Sequence, residues 1–386
     1  MSDFPRITSL KIDGFKVFDK FEAKLGPLEV IVGANGSGKS SLFALLKFIL
    51  DGQSAPIPPE IIAGPVGENV FFQNLRDSFS WEIESQIATK ATVRYGAEII
   101  GPRGKPRVSR EDGVYVGEYN DGTGVIALNS EFDLSNLETV KHLDKVPLGI
   151  ARHLKLSLYN CNYFGFTRSL SIFIKEWEFH NSFHISSDKI RKSCVVEQEP
   201  SIHDDFGNLS SILHYYVTEH PQIIVEIDTL LSLVYAGVKV RVKARGGPGE
   251  VIGFLREEES GVEFTLADLS DGILRFLCWA VLCLHPKPPT LVCVDEPELG
   301  LHPRVLPLLA GLFKKLSERT QVILATHSSY FLSQFDLDQI AVMRKVDGRA
   351  EWIKPADHKV FRDILADFGQ DEIERLHISD ELEVLA

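Results

Sequence analysis

The chain has only five cysteines among 386 residues, Cys161, Cys194, Cys278, Cys283 and Cys293, at scattered spacings with no Cys-x-x-Cys pair. That excludes a disulfide framework and a cysteine-built zinc site, and it predicts a cytoplasmic protein with reduced thiols. Long apolar runs are missing too. The greasiest, Phe276 to Leu284, spans nine residues, against about 20 for a membrane helix. The opening, MSDFPRITSLKIDGF, alternates apolar and polar residues and holds no signal-peptide core. Basic excess is lacking: 41 Lys plus Arg face 54 Asp plus Glu, a formal net charge of −13. A bulk nucleic-acid coat is excluded, so contact with DNA or RNA needs a local basic patch or a partner. No internal repeat and no sustained heptad occurs, so a long coiled-coil arm is not expected.

What is present is a core. Hydrophobic residues make up 44% of the chain, which excludes a disordered or fibrous protein. Residues 6–12 (RITSLKI) and 28–33 (LEVIVG) read as strands, and the second runs through a glycine-rich turn into the apolar helix SSLFALLKFIL. Residues 54–67 are rich in Pro and Gly and read as a loop. From Val70 to Leu128, short alternating runs (WEIESQI, ATVRYGAEII, GVYVGEY, GVIAL) predict an antiparallel β lobe. From 135 to 235 the pattern predicts mainly helix, clearest in SSILHYYV and QIIVEIDTLLSLVY. VKVRVKAR (238–245) reads as a strand, and 251–266 as a hairpin. Helices are expected at Gly272–Leu284 and Arg304–Ser317, and buried strands at Thr290–Val294 and Gln321–Ala325. The expected division is 1–134, 135–235 and 236–386, an α/β chain with a helical insertion.

Gly33-Ala34-Asn35-Gly36-Ser37-Gly38-Lys39-Ser40 matches G-x-x-x-x-G-K-[ST]. Small residues let successive amides curl round phosphate oxygens, which the N-terminus of the following helix also attracts. Lys39 can reach the β and γ phosphates, and the Ser40 hydroxyl can ligate Mg²⁺. Ser41 follows in the same loop-to-helix junction. A plain glycine turn would not require the apolar strand before it and the helix after it.

Thr290-Leu291-Val292-Cys293-Val294-Asp295-Glu296-Pro297 is a buried-strand pattern ending in two carboxylates. Asp295 can hold Mg²⁺ through water, and Glu296, facing elsewhere, can polarise an attacking water. By itself Asp-Glu-Pro is an ordinary turn; beside a phosphate loop it reads as the second half of a nucleotide site. Ser270, in Leu269-Ser270-Asp271-Gly272-Ile273-Leu274-Arg275, is a good N-cap whose neighbouring amides can bind an anion. His327, in Thr326-His327-Ser328, follows a buried strand and would sit at the top of a sheet near phosphate.

In this order the four motifs resemble an ABC-type ATPase of the RecF/SMC/OLD-like branch, closest to its small stand-alone bacterial members, often labelled AAA family ATPases. The start, ITSLKIDGFKVF, resembles the "nFrsF" opening of that branch. HDDFGNLSSILHYY (203–216) resembles a D-G-x-N-L stretch, with the departure that Asn208 follows Gly207 directly. The resemblance covers residues 6–345. It implies a P-loop NTPase head with a mixed core sheet: 1–134 its N-terminal half with the β lobe, 135–235 the insertion, 236–386 its C-terminal half. It implies ATP and Mg²⁺ as cofactors, and a head-to-head homodimer, or a higher oligomer built from dimers. Each ATP would sit on Lys39, Ser40, Asp295 and Glu296 of one subunit and be capped by Ser270 and Gly272 of the other. His327 would touch the γ-phosphate, Glu298 to His302 would cross the interface, and Gln73 would be the Mg²⁺- and water-sensing glutamine. Lys16 or Phe15 would lie near the nucleotide. Ser270 lies 237 residues after Gly33, and Ser270-Asp271-Gly272 has one glycine where transporters have two. Both departures argue against a transport motor. The implied output is a switch that gates an effector encoded nearby, a nuclease or toxin in antiphage defence. The alternatives are a RecF-like DNA-repair ATPase and a scaffold whose ATP is structural. Only 59 residues follow His327, so a built-in TOPRIM nuclease is not expected.

Other features are open to plainer readings. Lys239, Arg241, Lys243 and Arg245 share one strand face and could bind a phosphate backbone, or could pair with acidic neighbours such as Glu257, Glu258 and Glu259. Arg103, Lys105, Arg107 and Arg110 form a second such cluster. His180 and His184 lack an evident third metal ligand. Cys278 and Cys283 read as core. The acidic stretch from Asp367 is either a docking tail or a solvated helix.

Overall fold

The computed structural model describes residues 4–53, 70–72, 76–89, 91–101, 107–119, 122–128, 140–146, 165–186, 188–235, 237–245, 249–368 and 372–378. The strands in chain order are β1 (Arg6–Asp13), β2 (Phe21–Lys24), β3 (Leu28–Val32), β4 (Ser78–Ala88), β5 (Ala91–Ile100), β6 (Arg107–Tyr119), β7 (Gly122–Leu128), β8 (Val140–Val146), β9 (Trp177–Asn181), β10 (Cys194–Val195), β11 (Val238–Arg245), β12 (Glu250–Glu257), β13 (Glu263–Thr265), β14 (Leu291–Asp295), β15 (Gln321–Ala325), β16 (Ile340–Val346) and β17 (Arg349–Ile353).

The core sheet has the order β17-β16-β3-β15-β14-β9. Its pairs are parallel except β16 with β17. Every residue of β3 and of β15 is buried, as expected of parallel strands covered on both faces. Alternate residues serve opposite faces. Val30, Val32, Val292, Val294, Val322 and Leu324 join the core beneath the helix Asp271–Cys283, with Leu274 and Trp279. Ile31, Leu291, Cys293 and Ile323 join a second core, with Leu42, Leu45 and Leu46 of the helix Lys39–Asp51.

That second core is closed by a seven-stranded sheet, β2-β1-β4-β5-β6-β7-β8, antiparallel except for β7 with β8. Phe79, Trp81 and Phe48 form its aromatic centre, with Phe48 and Trp81 edge to face at 5.6 Å. A small sheet, β10-β12-β11 with β13 beside β12, lies under the helices Leu209–Glu219 and Pro221–Val234.

The stretch 135–235, expected to be mainly helical, also holds three strands, of which β10 is a two-residue edge of the small sheet. β8 extends the large sheet and β9 is the sixth strand of the core sheet. Val140, Leu143 and Val146 recur every third residue, a spacing that imitates a helix. β9 reads WEFHN, with neither an apolar run nor alternation, and its neighbour β14 lies more than a hundred residues on. Cys278, Cys283 and Cys293 are buried free thiols whose pKa burial pushes up; Cys161 lies outside the described residues. No described helix is long and apolar enough to cross a membrane.

Glu29 on β3 is a buried carboxylate with a measurable consequence. Its Oε1 accepts the Gly26 amide at 2.7 Å and Lys354 Nζ lies 2.7 Å from Oε2. Burial outweighs Lys354 and pushes its pKa up to about 7, from an ordinary 4.5. A raised carboxyl means the fold binds the proton more tightly than the unfolded chain does. The stabilisation is full below the unfolded pKa and is lost as pH rises through the folded one. Glu29→Gln keeps an oxygen for Gly26 and removes the titration. The wild-type minus variant unfolding free energy is expected to fall by about 3 kcal/mol from about pH 4 to about pH 8. Denaturant titrations across that range measure it, and a flat difference would contradict the assignment.

Candidate functional site

Because β3, β15, β14 and β9 run parallel, their carboxyl ends share one edge of the core sheet. That is the edge at which α/β sheets take ligands. β3 delivers the loop Gly33–Ser40, β15 delivers Thr326-His327, β14 ends on Asp295, and β9 ends on Asn181. Asp295 is in register with Ala325 on one side and Asn181 on the other.

Gly33 has φ of 155°, and a Cβ there would lie 1.9 Å from the Met343 carbonyl oxygen of β16. Only glycine lets the loop leave the strand so close to a neighbouring backbone. Ser37 N donates to the Ala34 carbonyl at 3.1 Å, and the helix begins at Lys39, so its first amides face the loop. Lys39 is buried and curls back to donate Nζ to the carbonyls of Gly33 and Ala34, the latter at 3.2 Å. The Ser37 hydroxyl is buried with no partner among the described residues. A loop with an ammonium, helix-terminal amides and an orphan hydroxyl suits phosphate oxygens.

The carboxylates opposite are coupled to that lysine. Burial, and then the Glu296 charge, push the Asp295 pKa up, while Lys39 pulls it down. Burial and Lys39 hold His327 below the ordinary histidine range, opposed by Glu296. So His327 tends to the neutral imidazole, able to donate from one nitrogen. Glu296 has φ of 50°, a left-handed conformation that costs a non-glycine residue about 1 kcal/mol. It is held there from both sides: its amide donates to Ala325 O at 2.8 Å, and its carbonyl accepts the Ser182 hydroxyl.

Glu298, which the resemblance places at an interface, turns inward in this chain. Its Oε1 accepts the Thr326 hydroxyl at 2.5 Å and the His327 amide at 3.4 Å, and burial raises its pKa. It ties the turn after β14 to the loop after β15. The Ser270 hydroxyl caps its helix by accepting Ile273 N at 3.4 Å. That helix is fastened to the turn after β14. Trp279 Nε1 donates to Pro297 O and Arg275 Nη1 to Leu299 O, both at 2.9 Å. Gly272 would bring a Cβ within 3.2 Å of Gly300 O, and Gly300, with φ of 76°, would bring one within 1.8 Å of Arg275 Nη1.

The structure therefore gathers Lys39, Asp295, Glu296 and His327, and sets Ser270 and Gly272 on a separate helix. Gln73 lies outside the described residues. Phe15 is fully buried against Phe79 and is a core residue; Lys16 Nζ lies 5.5 Å from its ring centre. Asn181 and Ser182 at the end of β9 went unread in the sequence, because no motif marks them. Three of the β11 cations have acidic neighbours. Lys239 pairs with Glu258 at 2.6 Å, Arg241 with Asp228 at 3.6 Å, and Lys243 with Glu263. His180 is buried, bonded to Glu178 at 3.0 Å, and no group of three metal-ligating residues occurs among the described residues.

Comparisons with known proteins bear on the fold that carries these residues. A family profile described as "AAA domain" matches residues 9–193, and one described as "AAA domain, putative AbiEii toxin, Type IV TA system" matches residues 172–333. A chromosome partition protein Smc from Desulfitobacterium hafniense (strain Y51) is 36% identical over 106 residues. That match covers 23% of this chain and only 9% of the Smc protein. A solved SMC head bound to the C-winged helix domain of ScpA superposes with a TM-score of 0.52 at 16% identity, covering 90% of this chain and 97% of that one. An Smc head with an extended coiled coil, bound to the C-terminal domain of ScpA from Pyrococcus furiosus, gives 0.50 at 13% identity over 94% and 100%. At those identities the likeness is one of fold. This chain, with its phosphate-loop sequence and its mixed core sheet, has the P-loop α/β fold shared with the SMC heads it superposes on.

Proposed function

We propose that the chain binds and hydrolyses Mg²⁺-ATP, and that two copies close head to head on two nucleotides. The observation that carries this reading is the convergence of Lys39, Asp295, Glu296 and His327 at one sheet edge while Ser270 and Gly272 lie on another helix. One chain offers the phosphate loop and the carboxylates; a second would offer its signature amides.

In this reading the Gly33–Ser41 amides and Lys39 hold the phosphates. Ser40, in the first turn of the helix that follows β3, and Asp295, at the end of β14, are oxygen donors that would suit a small hard cation. Held by Ser40 and Asp295, Mg²⁺ would supply positive charge to offset the charge that builds during phosphoryl transfer. Glu296 orients and polarises the attacking water, its side chain aimed by the left-handed backbone that Ala325 and Ser182 hold. Neutral His327 donates to the γ-phosphate. Asn181, level with Asp295 at the end of β9, adds a polar side chain at the same sheet edge. The output is a conformational switch that gates an effector, a nuclease or toxin made by a neighbouring gene. The ion pairs of β11 speak for a solvated face there and against direct DNA binding through it.

Turnover per chain tests the pairing. If the site is completed by a second copy, the rate per chain rises with chain concentration and then levels. A rate per chain that stays constant under dilution below any dimer would contradict the proposal.

A further inference from the structure

The chain between β9 and β10 touches both halves of the proposed machine. Near its start, buried Ser182 donates its hydroxyl to the Glu296 carbonyl. Near its end, Arg191 spreads its guanidinium over the loop before the signature helix. Nη1 donates to the carbonyls of Leu266 at 3.0 Å, Ala267 at 3.1 Å and Leu269 at 2.9 Å, and Nη2 donates to the Asp271 carboxylate. Ile185 and Ile190 anchor this stretch in the same core as Leu266, Leu269 and Leu274.

The geometry points to Arg191 as the positioning residue of the signature, presetting Ser270 and Gly272 for the nucleotide held by the second copy. Two physical arguments support this. Ser270 stands between Leu269 and Asp271, and Arg191 bonds both neighbours, so it fixes where the cap and the amides after it point. A planar fork of donors can hold three carbonyls and a carboxylate at once, which an ammonium cannot. Charge gives the second argument. Asp271 is an acidic group at the mouth of an amide cluster meant for phosphate, and it would repel that phosphate. Arg191 pairs with that carboxylate and offsets its charge. The inference rests on the paired-site reading above.

Complementation between inactive variants separates the two. Lys39→Ala disables a chain's phosphate loop; Arg191→Ala should disable only its signature. Mixed, they form some pairs with one intact site, built from the loop of one and the signature of the other. From random C2 pairing the mixture should recover about a quarter of the wild-type rate. Alone, Arg191→Ala should lower kcat by about tenfold or more while the single chain binds ATP within about twofold of wild type. Arg191→Lys should restore little, and the exposed Asp271→Asn, which spares the carbonyl bonds and removes the repelling charge, should keep kcat within about twofold of wild type. The control is Lys39→Ala mixed with Ser270→Arg. Recovery in both mixtures supports Arg191. Recovery with Ser270→Arg only, or an Arg191→Ala chain that has lost its own ATP binding, overturns it. Recovery in neither shows that the sites are not shared between copies, and the inference falls with that reading.

Discussion

Glu296→Gln is expected to lower ATP turnover by about 10²–10⁴-fold, the range for loss of a positioned general base. The fold should not notice the change. The bonds that hold this residue use its backbone amide and carbonyl, so its left-handed conformation survives. ATP affinity should be kept or improved. The Glu296 charge is one of the two influences that raise the Asp295 pKa, and removing it leaves Asp295 more readily ionised. The variant should therefore hold Mg²⁺-ATP without spending it, and accumulate as closed pairs. Single-turnover and steady-state rates with radiolabelled ATP measure the chemistry directly. Turnover equal to wild type would remove Glu296 from catalysis and leave ATP as a structural ligand.

Lys39→Ala should act one step earlier, at binding. Lys39 is buried and donates to carbonyls of its own loop, positions close to those that phosphate oxygens would claim. Truncating one partner of a buried, hydrogen-bonded charge pair costs about 2–5 kcal/mol, or roughly one and a half to three and a half decades of affinity. Lys39→Arg should not rescue, since a planar fork does not fit where a point charge sits among carbonyls. The substitution also leaves a signature at the site. Lys39 holds the pKa of His327 down, so in Lys39→Ala that histidine should titrate at higher pH, read by NMR of the imidazole protons. Unchanged ATP affinity would contradict the assignment of the loop.

The parts of this site that were legible in the sequence are those whose chemistry is contiguous. Gly33 to Ser40 is strand, loop and helix in one run, and Gly33 is obligatory because Met343 of β16 lies against it. Asp295-Glu296 was readable because four buried residues precede two carboxylates. The large sheet was readable from alternation, as in β4, where buried and half-buried positions interchange. What was hidden depends on partners far along the chain. β9 became a core strand only through β14, and its five residues carry too little apolar pattern to show it. Hence Asn181 and Ser182 were missed. Arg191 was invisible because three of its four bonds go to carbonyls, which every residue has. Glu298, which the resemblance assigns to an interface, has a carboxylate that joins Thr326 and His327 inside the chain, a contact between distant loops that no local pattern records. Local pattern records burial, whereas the coupling between loops comes from topology.

The mass of Glu296→Gln in solution is the most direct test of the central claim. One chain weighs 43.2 kDa. Light scattering should give about that mass without nucleotide and about twice it with Mg²⁺-ATP, because a ligand held more tightly by the pair than by the single chain drives pairing by mass action. Adding Ser270→Arg should return the mass to one chain with ATP still bound. A chain that stays single while saturated with Mg²⁺-ATP would contradict the account.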